Sequence, residues 1–391
     1  MKKAFKWGAA TLAALTLAVA CFAGGAVYGR LMANAVGIQK SASLNAATNE
    51  VLSIMKAQAY QPVGETSITA GAIEGMLTSL DDPYAAYYNA KDFKYLQEQN
   101  SGEFYGIGIV VTAKDKVPTV VSVMDGTPAQ KAGLKAGDQI VSVGSVAKDA
   151  WDLDEVVSLI RGPEGTKVKL GIVRGKEKPF SVEVTRAKIE TPNVSSKMLA
   201  DSVGYVRLFS FNERSGSDVS KAIASLEKKG AKGYILDLRD NPGGLLTAAV
   251  DVSSLFIKDG VVVTVKQRSG SPEVYRASGK TATDKPVVVL INGNSASASE
   301  IVSGALQDYD RAKLVGVKSY GKGSVQQIDQ LSFGGAVKLT IAHYFTPKDR
   351  SINKVGLTPD VIVKMDAAKQ ADAATDVQLK KAAKVLSAQF K

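Results

Sequence analysis

The segment Asn292-Gly293-Asn294-Ser295-Ala296-Ser297-Ala298-Ser299-Glu300 places three serines at the join of two elements. Pro286 to Ile291 before it reads as a strand, and Ile301, Val302, Ala305 and Leu306 after it carry helical spacing. A serine at such a turn stands at the end of a sheet, where the first N–H groups of the helix lack partners. Those groups suit the oxyanion of a tetrahedral intermediate, so the chemistry on offer is nucleophilic attack on a carbonyl. The same letters spell a capping box, Ser297-Ala298-Ser299-Glu300, in which Ser297 merely satisfies a helix end. Taken alone, the motif favours the cap. Spacing leaves Ser295, Ser297 and Ser299 all open as nucleophiles.

Serine needs a base. Gly321-Lys322-Gly323-Ser324-Val325-Gln326 offers Lys322, which can deprotonate a hydroxyl only when neutral. Burial must therefore draw its pKa down from about 10.4. The flanking glycines allow close backbone approach. Gln326, four residues on, shares a face with Lys322 in either a strand or a helix. Its amide oxygen can accept from the amine and orient it without adding charge, whereas a carboxylate there would favour the protonated form. A single lysine is otherwise most simply a solvated surface charge. The rival base is His343, which with Ser295 in Gly293-Asn294-Ser295-Ala296-Ser297 gives a faint nucleophile elbow. Its last small position is Ser rather than Gly, against that motif's requirement.

Composition narrows the field. The chain has 391 residues, 45% of them hydrophobic, with 1 Cys and 1 His. That is ample for packed domains and excludes global disorder. A disulfide within the chain and a zinc site of Cys and His ligands are both impossible. Cys21 lies in an apolar N-terminal run, which excludes a soluble Cys-His pair, and every Ser-His-Asp reading must pass through His343. A trypsin-like protease would need a histidine before its serine, and none exists there. Lys and Arg number 49 against 38 Asp and Glu, a formal charge of +11. The charges are dispersed with no basic block interleaved with aromatics, so nucleic acid is not the expected partner. A solvated basic surface near an anionic envelope accounts for them.

These side chains must be held by the elements around them. Lys2, Lys3 and Lys6 precede an uncharged run from Trp7 to Gly29, long enough for a membrane anchor with its N-terminus inside. Ala33-Asn34-Ala35 offers a competing signal-peptide cleavage site. Lipidation at Cys21 is disfavoured by Ala18, where Leu is usual. From Ser41 to Asn100 the pattern is helical, and Asp81-Asp82-Pro83 stops a helix. From Gly102 to Arg186 short strands are expected over Phe104 to Val111, Pro118 to Val123, Gln139 to Val143, Lys167 to Val173 and Ser181 to Thr185, with a helix over Leu153 to Ile160. From Val203 to Val363 strands alternate with helices, which implies a layered α/β core. Asp366 to Lys391 carries a helical stripe of Val377, Leu379, Ala382, Val385 and Leu386.

In the second of these stretches Tyr105-Gly106-Ile107-Gly108-Ile109 is a glycine turn running into a strand, where N–H groups can converge on an anion. A peptide could add beside that strand, opposite the helix at 153–160. With Asp125-Gly126-Thr127-Pro128-Ala129-Gln130-Lys131-Ala132-Gly133-Leu134 and Gly137-Asp138-Gln139-Ile140-Val141-Ser142-Val143, the stretch strongly resembles a PDZ domain. The resemblance implies binding of polypeptide C-termini, with Tyr105, Gly106, Ile107, Gly108 and Ile109 as the peptide site.

Taken together, Ser295 to Ile301, Gln307-Asp308-Tyr309, Gly321 to Gln327, Asp237-Leu238-Arg239-Asp240-Asn241-Pro242-Gly243-Gly244 and Leu357-Thr358-Pro359-Asp360 resemble the tail-specific, or C-terminal processing, serine peptidases. That resemblance selects Ser297 as nucleophile, Lys322 as general base and Gln326 as its orienter. It also implies an oxyanion hole from Ala298 and Gly243, and no metal or cofactor. The fold it implies is a multidomain α/β chain. A PDZ domain is inserted before a layered, crotonase/ClpP-like protease core, with helical N- and C-terminal segments. The expected divisions are 1–35 (signal or anchor), 36–101 (helical), 102–187 (PDZ), 188–364 (protease core) and 365–391 (helical tail). The expected function is a serine endopeptidase acting outside the cytoplasm on polypeptides held by apolar C-terminal tails; the alternatives are a non-catalytic PDZ peptide-binding scaffold and a hydrolase using Ser295 and His343. Arg161, after the helix at 153–160, is expected to contact the protease core and gate the site. The apolar stripes of the terminal helices suggest a homo-oligomer, and the N-terminal segment a membrane contact if uncleaved.

Overall fold

The computed structural model describes residues 43–62, 64–114, 117–148, 150–365 and 375–390. The export or anchor segment expected over 1–35 lies outside the described residues, as does 366–374 of the tail. Among the described residues no helix is long and apolar enough to cross a membrane.

The chain forms two compact units, Met1–Ile73 and Glu74–Lys391. The first contains α1 (Leu44–Gln58), capped by Ser43, whose hydroxyl accepts from the Ala46 N–H. No residue of α1 is buried, so Val51 and Ile54 face outward. Helix α2 (Glu65–Thr78) follows. In the second unit the segment expected to be wholly helical contains a short strand, β1 (Ala86–Tyr88), before α3 (Ala90–Ser101).

A middle module runs from β2 (Glu103–Gly106) through β3 (Ile109–Lys114), β4 (Val117–Val123), α4 (Pro128–Lys131), β5 (Gln139–Val143), β6 (Val146–Ala147), α5 (Leu153–Ile160), β7 (Lys167–Val173) and β8 (Phe180–Thr185) to β9 (Ala187–Glu190). Its main sheet has the order β3-β4-β5-β7-β8, with β6 on β5, and β2 pairs separately with β9. Alternating residues such as Ile140, Leu170 and Ile172 close its core against Val156 and Ile160 of α5. The single strand expected over Phe104 to Val111 is broken at Ile107-Gly108. Gly108 has φ +84°, and a Cβ there would stand 2.4 Å from Thr127. Only glycine fits.

Beyond it come β10 (Val194–Met198), β11 (Val203–Leu208), α6 (Ser215–Lys228), β12 (Gly233–Asp237), α7 (Leu246–Ser254), β13 (Val261–Gln267), β14 (Glu273–Arg276), β15 (Val287–Ile291), α8 (Ala298–Asp308), β16 (Ala312–Gly316), β17 (Ser324–Gln330), β18 (Ala336–Phe345), β19 (Val361–Ile362) and α9 (Val377–Ser387). One sheet has the order β10-β11-β12-β15-β16-β19, parallel except at β10. Strand β15 is buried throughout. Val287, Val289 and Ile291 enter the large core beneath α7 and α8, while Val288 and Leu290 enter a second core. Burial on both faces explains why its sequence is a continuous apolar run, each such side chain contributing roughly 1.5–3 kcal/mol.

The second core is closed by Leu379, Ala382 and Leu386 of α9. Three residues of the C-terminal stripe are therefore buried within the chain, while Val377 of the same stripe stays 43% exposed. Beneath it, Arg239 is caged. Its guanidinium bonds both oxygens of Asp237, pairs with Asp376 at 2.8 Å and donates to Gln378. All four side chains are essentially buried.

A further sheet was not anticipated. It has the order β1-β18-β13-β14 with β17 on β18, and every pairing is antiparallel. Helix α8 and strand β16 continue the strand–helix alternation after Ser297, but the residues that follow β16 do not. They enter this sheet, which carries Gln326 on β17 and Lys338 and His343 on β18.

Candidate active site

Ser297 is the residue before α8, with φ +53° and ψ −114°. A non-glycine residue in that region is strained, and such strain is found where surrounding structure holds a side chain for use. The Ser297 N–H donates to Glu300 Oε2 at 2.9 Å, while the Glu300 N–H donates to the Ser297 carbonyl at 2.8 Å. Capping and catalysis therefore do not compete, because the carboxylate grips the serine backbone and the side chain faces a cavity. Ser295 differs. It is fully buried, accepting from the Asn292 N–H and donating to the Leu238 carbonyl at 2.8 Å. His343 is exposed on β18. The Ser295/His343 pairing fails on both counts, since one hydroxyl is committed to the fold and the imidazole faces solvent.

Glu300 also reaches the base. Its two oxygens accept from Ser319 Oγ at 2.6 Å, the Gly321 N–H at 2.7 Å and the Lys322 N–H at 2.9 Å. One buried carboxylate thus joins the turn that carries Ser297 to the segment that carries Lys322. Tyr344 adds a second clasp, its hydroxyl donating to the carbonyls of Ser297 (3.2 Å) and Lys322.

Ser297, Lys322, Gln326 and Gly243 all line one cavity of about 360 Å³, with Leu245 and Ile301 among its apolar walls. Burial pushes the Lys322 amine below its ordinary value, the neighbouring Lys338 charge adds to this, and Asp82 opposes it. The amine lies 4.7 Å from the centroid of the Tyr84 ring. Among the described residues no hydrogen bond joins it to Ser297 Oγ or to Gln326. The Gln326 amide nitrogen donates to Ser324 Oγ at 2.8 Å and Thr340 Oγ1 at 3.2 Å, an arrangement that leaves its oxygen unspent.

The Asn-Pro-Gly-Gly turn approaches from below. Asn241 is buried and fixes it by donating to the Leu208 carbonyl, while its own carbonyl accepts from the Ala296 N–H and Ser299 Oγ. Gly243, at φ +97°, sits against the Ala298 nitrogen. The Ala298 N–H finds no acceptor among the described residues, as suits an oxyanion donor. The Gly243 N–H is occupied here by Asn241 Oδ1 at 2.9 Å.

In the middle module, β3 forms the edge of its sheet opposite α5. Between them lies a groove of about 310 Å³ lined by Gly106, Ile107, Gly108, Ile109, Val157 and Ile160, among others. Tyr105 is not brought into it. That side chain is 45% exposed on β2, whose partner there is Lys188. Alternation along β2 turns it away, which corrects its place among the peptide-site residues. Arg161 lines the groove and is paired with Glu98, with its guanidinium 4.9 Å from the Tyr95 ring and 4.8 Å from Phe104. Two of these partners belong to α3, not to the core sheets as expected. Arg161 also lines a cavity of about 510 Å³ that reaches Gly243 and Gly244.

Models of three families match the chain. Peptidase family S41 matches residues 202–363, the PDZ domain 119–174 and the activating protease CtpB N-terminal domain 32–92. Over 328 residues the chain is 40% identical to the carboxy-terminal processing protease CtpA of Bacillus subtilis (strain 168), covering 83% of this chain and 70% of that protein. The chain belongs to the C-terminal processing serine peptidases. It is 43% identical over 307 residues to the carboxy-terminal-processing protease of Bartonella bacilliformis, covering 76% of this chain and 70% of that protein. The solved photosystem II D1 C-terminal processing protease is 30% identical, with a TM-score of 0.50 and coverage of 85% of this chain and 92% of that one. This C-terminal processing peptidase is thus a serine-type protease with a PDZ domain, acting on polypeptides. Sequence reasoning had missed Glu300 as more than a cap, along with Asn241 and Tyr84. A lone carboxylate among Ile301, Val302 and Ala305 was the available signal for the first.

Proposed function

We propose that Ser297 is the nucleophile, Lys322 the general base and Gln326 its orienter. The Ser297 hydroxyl attacks the scissile carbonyl as its proton passes to the neutral Lys322 amine. The N–H groups of Ala298 and Gly243 hold the resulting oxyanion, the latter once released from Asn241. Collapse breaks the C–N bond, and Lys322 returns the proton to the departing amine. Water, deprotonated by the same amine, then hydrolyses the ester on Ser297. The observation that supports this most is that a half-buried amine and a strained serine face one cavity and are tied by one carboxylate. The closed, hydrogen-bonded dyad forms when Lys322 leaves the Tyr84 ring.

In this reading the groove between β3 and α5 receives an apolar C-terminal tail, and Arg161, through Glu98 and Tyr95, transmits its arrival along α3. In the same reading the exposed apolar residues of α1 suit a homo-oligomer contact, the core is of the crotonase/ClpP-like kind, and the chain divides as 1–35, 36–101, 102–187, 188–364 and 365–391. The enzyme works outside the cytoplasm, anchored or released at its N-terminus. A peptide ending in apolar residues tests the catalytic reading. Lys322→Ala should lower kcat/KM about 10²–10⁴-fold, and an unchanged rate would exclude the dyad. For gating, Arg161→Ala should alter cleavage rate or tail preference; neither changing would exclude it.

A further inference from the structure

Two lysines face the cavity that holds Ser297. Lys322 approaches from the loop before β17 and Lys338 from β18. Lys338 is fixed in place. Its ammonium donates to Tyr88 Oη at 2.7 Å and lies 5.2 Å from the centroid of that ring. Tyr88 ends β1, which pairs with β18 at Ala86↔Lys338 and Tyr88↔Ala336. No carboxylate among the described residues forms an ion pair with either lysine.

We propose that Lys338 is a positioning residue for the base, its fixed positive charge across the cavity disfavouring protonation of the Lys322 amine. This rests on the reading of Lys322 as the general base. A hydroxyl and an aromatic face hold an ammonium without supplying a counter-charge, and Lys338 is so held on the cavity that Lys322 also lines. A like charge nearby favours the neutral form of an amine, the same means by which paired cations activate nucleophilic lysines. The other groups around Lys322 do not cancel this. Asp82, kept ionised by the backbone N–H groups of Tyr84 and Thr340, acts in the opposite sense but more weakly than Lys338. Glu300 is engaged by four donors, burial pushes the Tyr84 and Tyr344 phenols upward so that they stay neutral, and His343 is exposed. Burial and Lys338 both move the Lys322 amine downward.

The test is the pH profile of kcat/KM of the full chain on a peptide ending in apolar residues. Lys338→Met should move the acid limb upward by about half to one pH unit, as one partly screened charge would. Activity near neutral pH should then fall about three- to tenfold and recover to the wild-type plateau at high pH. Lys338→Arg should leave the limb in place. Tyr88→Phe, which frees the ammonium, should shift it less but in the same direction, and gives a second reading if the methionine variant fails to fold. An unmoved limb, or an equal loss at every pH, would overturn the inference. Full activity in Lys322→Ala would instead sink the base assignment itself, so the two failures are separable.

Discussion

Gly243 and Ser297 stand so close that a Cβ on the glycine would lie 2.9 Å from the Ser297 Cβ, and 2.7 Å from the Ala296 carbonyl oxygen. The turn carrying Gly243 and the turn carrying Ser297 are thus packed backbone to backbone. Gly243→Ala must push them apart, and its φ of +97° strains any other residue. We expect a folded protein whose kcat falls about 10²–10³-fold, the cost of misplacing one oxyanion donor. Peptide hydrolysis with circular dichroism as control checks this.

Glu300 offers each of its oxygens to two donors. Glu300→Gln must turn an NH₂ toward two of them, leaving buried donors unsatisfied at about 1–3 kcal/mol each. Both the melting temperature and kcat should fall, with Glu300→Ala at least as damaging. A Gln variant with wild-type rate and stability would remove the clasp from the account.

Lys322 should impose a stability cost that depends on pH. Its pKa lies below the ordinary lysine value. Between the folded value and about 10.4, the unfolded chain binds a proton that the native state does not, so stability rises with pH across that window. Below it, both states are protonated and the native state bears the full cost of a buried ammonium. Lys322→Met should therefore melt higher than wild type at pH 7, with the gap narrowing toward pH 10. Melting curves at both pH values decide it, and a constant gap would count against the cause given.

Asp376 supplies half of the carboxylate cage around Arg239 and caps α9 through the Leu379 N–H. Asp376→Ala should destabilise by about 1–3 kcal/mol, read as a lower urea midpoint. Because Arg239 lies two residues before Asn241, the rate should fall as well, with KM little changed.

What could be read from the chain was what local patterning encodes. Val287 to Ile291 followed by Ala298 to Asp308, and the strands of the PDZ domain, carry strong periodicity or continuous apolar runs. The antiparallel sheet was missed because Ala86–Tyr88 is three residues with no period of its own, and its strandness comes from pairing with residues about 250 positions on. Glu300 looked like a cap because its other donors, Ser319, Gly321 and Lys322, come from a distant segment. Tyr105 was assigned to the groove by motif, and the pleat turned it outward. The Gln326 amide, engaged with Ser324 and Thr340, is a choice of rotamer that no spacing specifies.

The cage around Arg239 makes the end of the fold answerable for its middle. The guanidinium that Asp376 and Gln378 hold belongs to the residue two before Asn241, whose side chain fixes the turn carrying Gly243. A cut between β19 and α9 would thus loosen the oxyanion turn without removing any residue that lines the cavity.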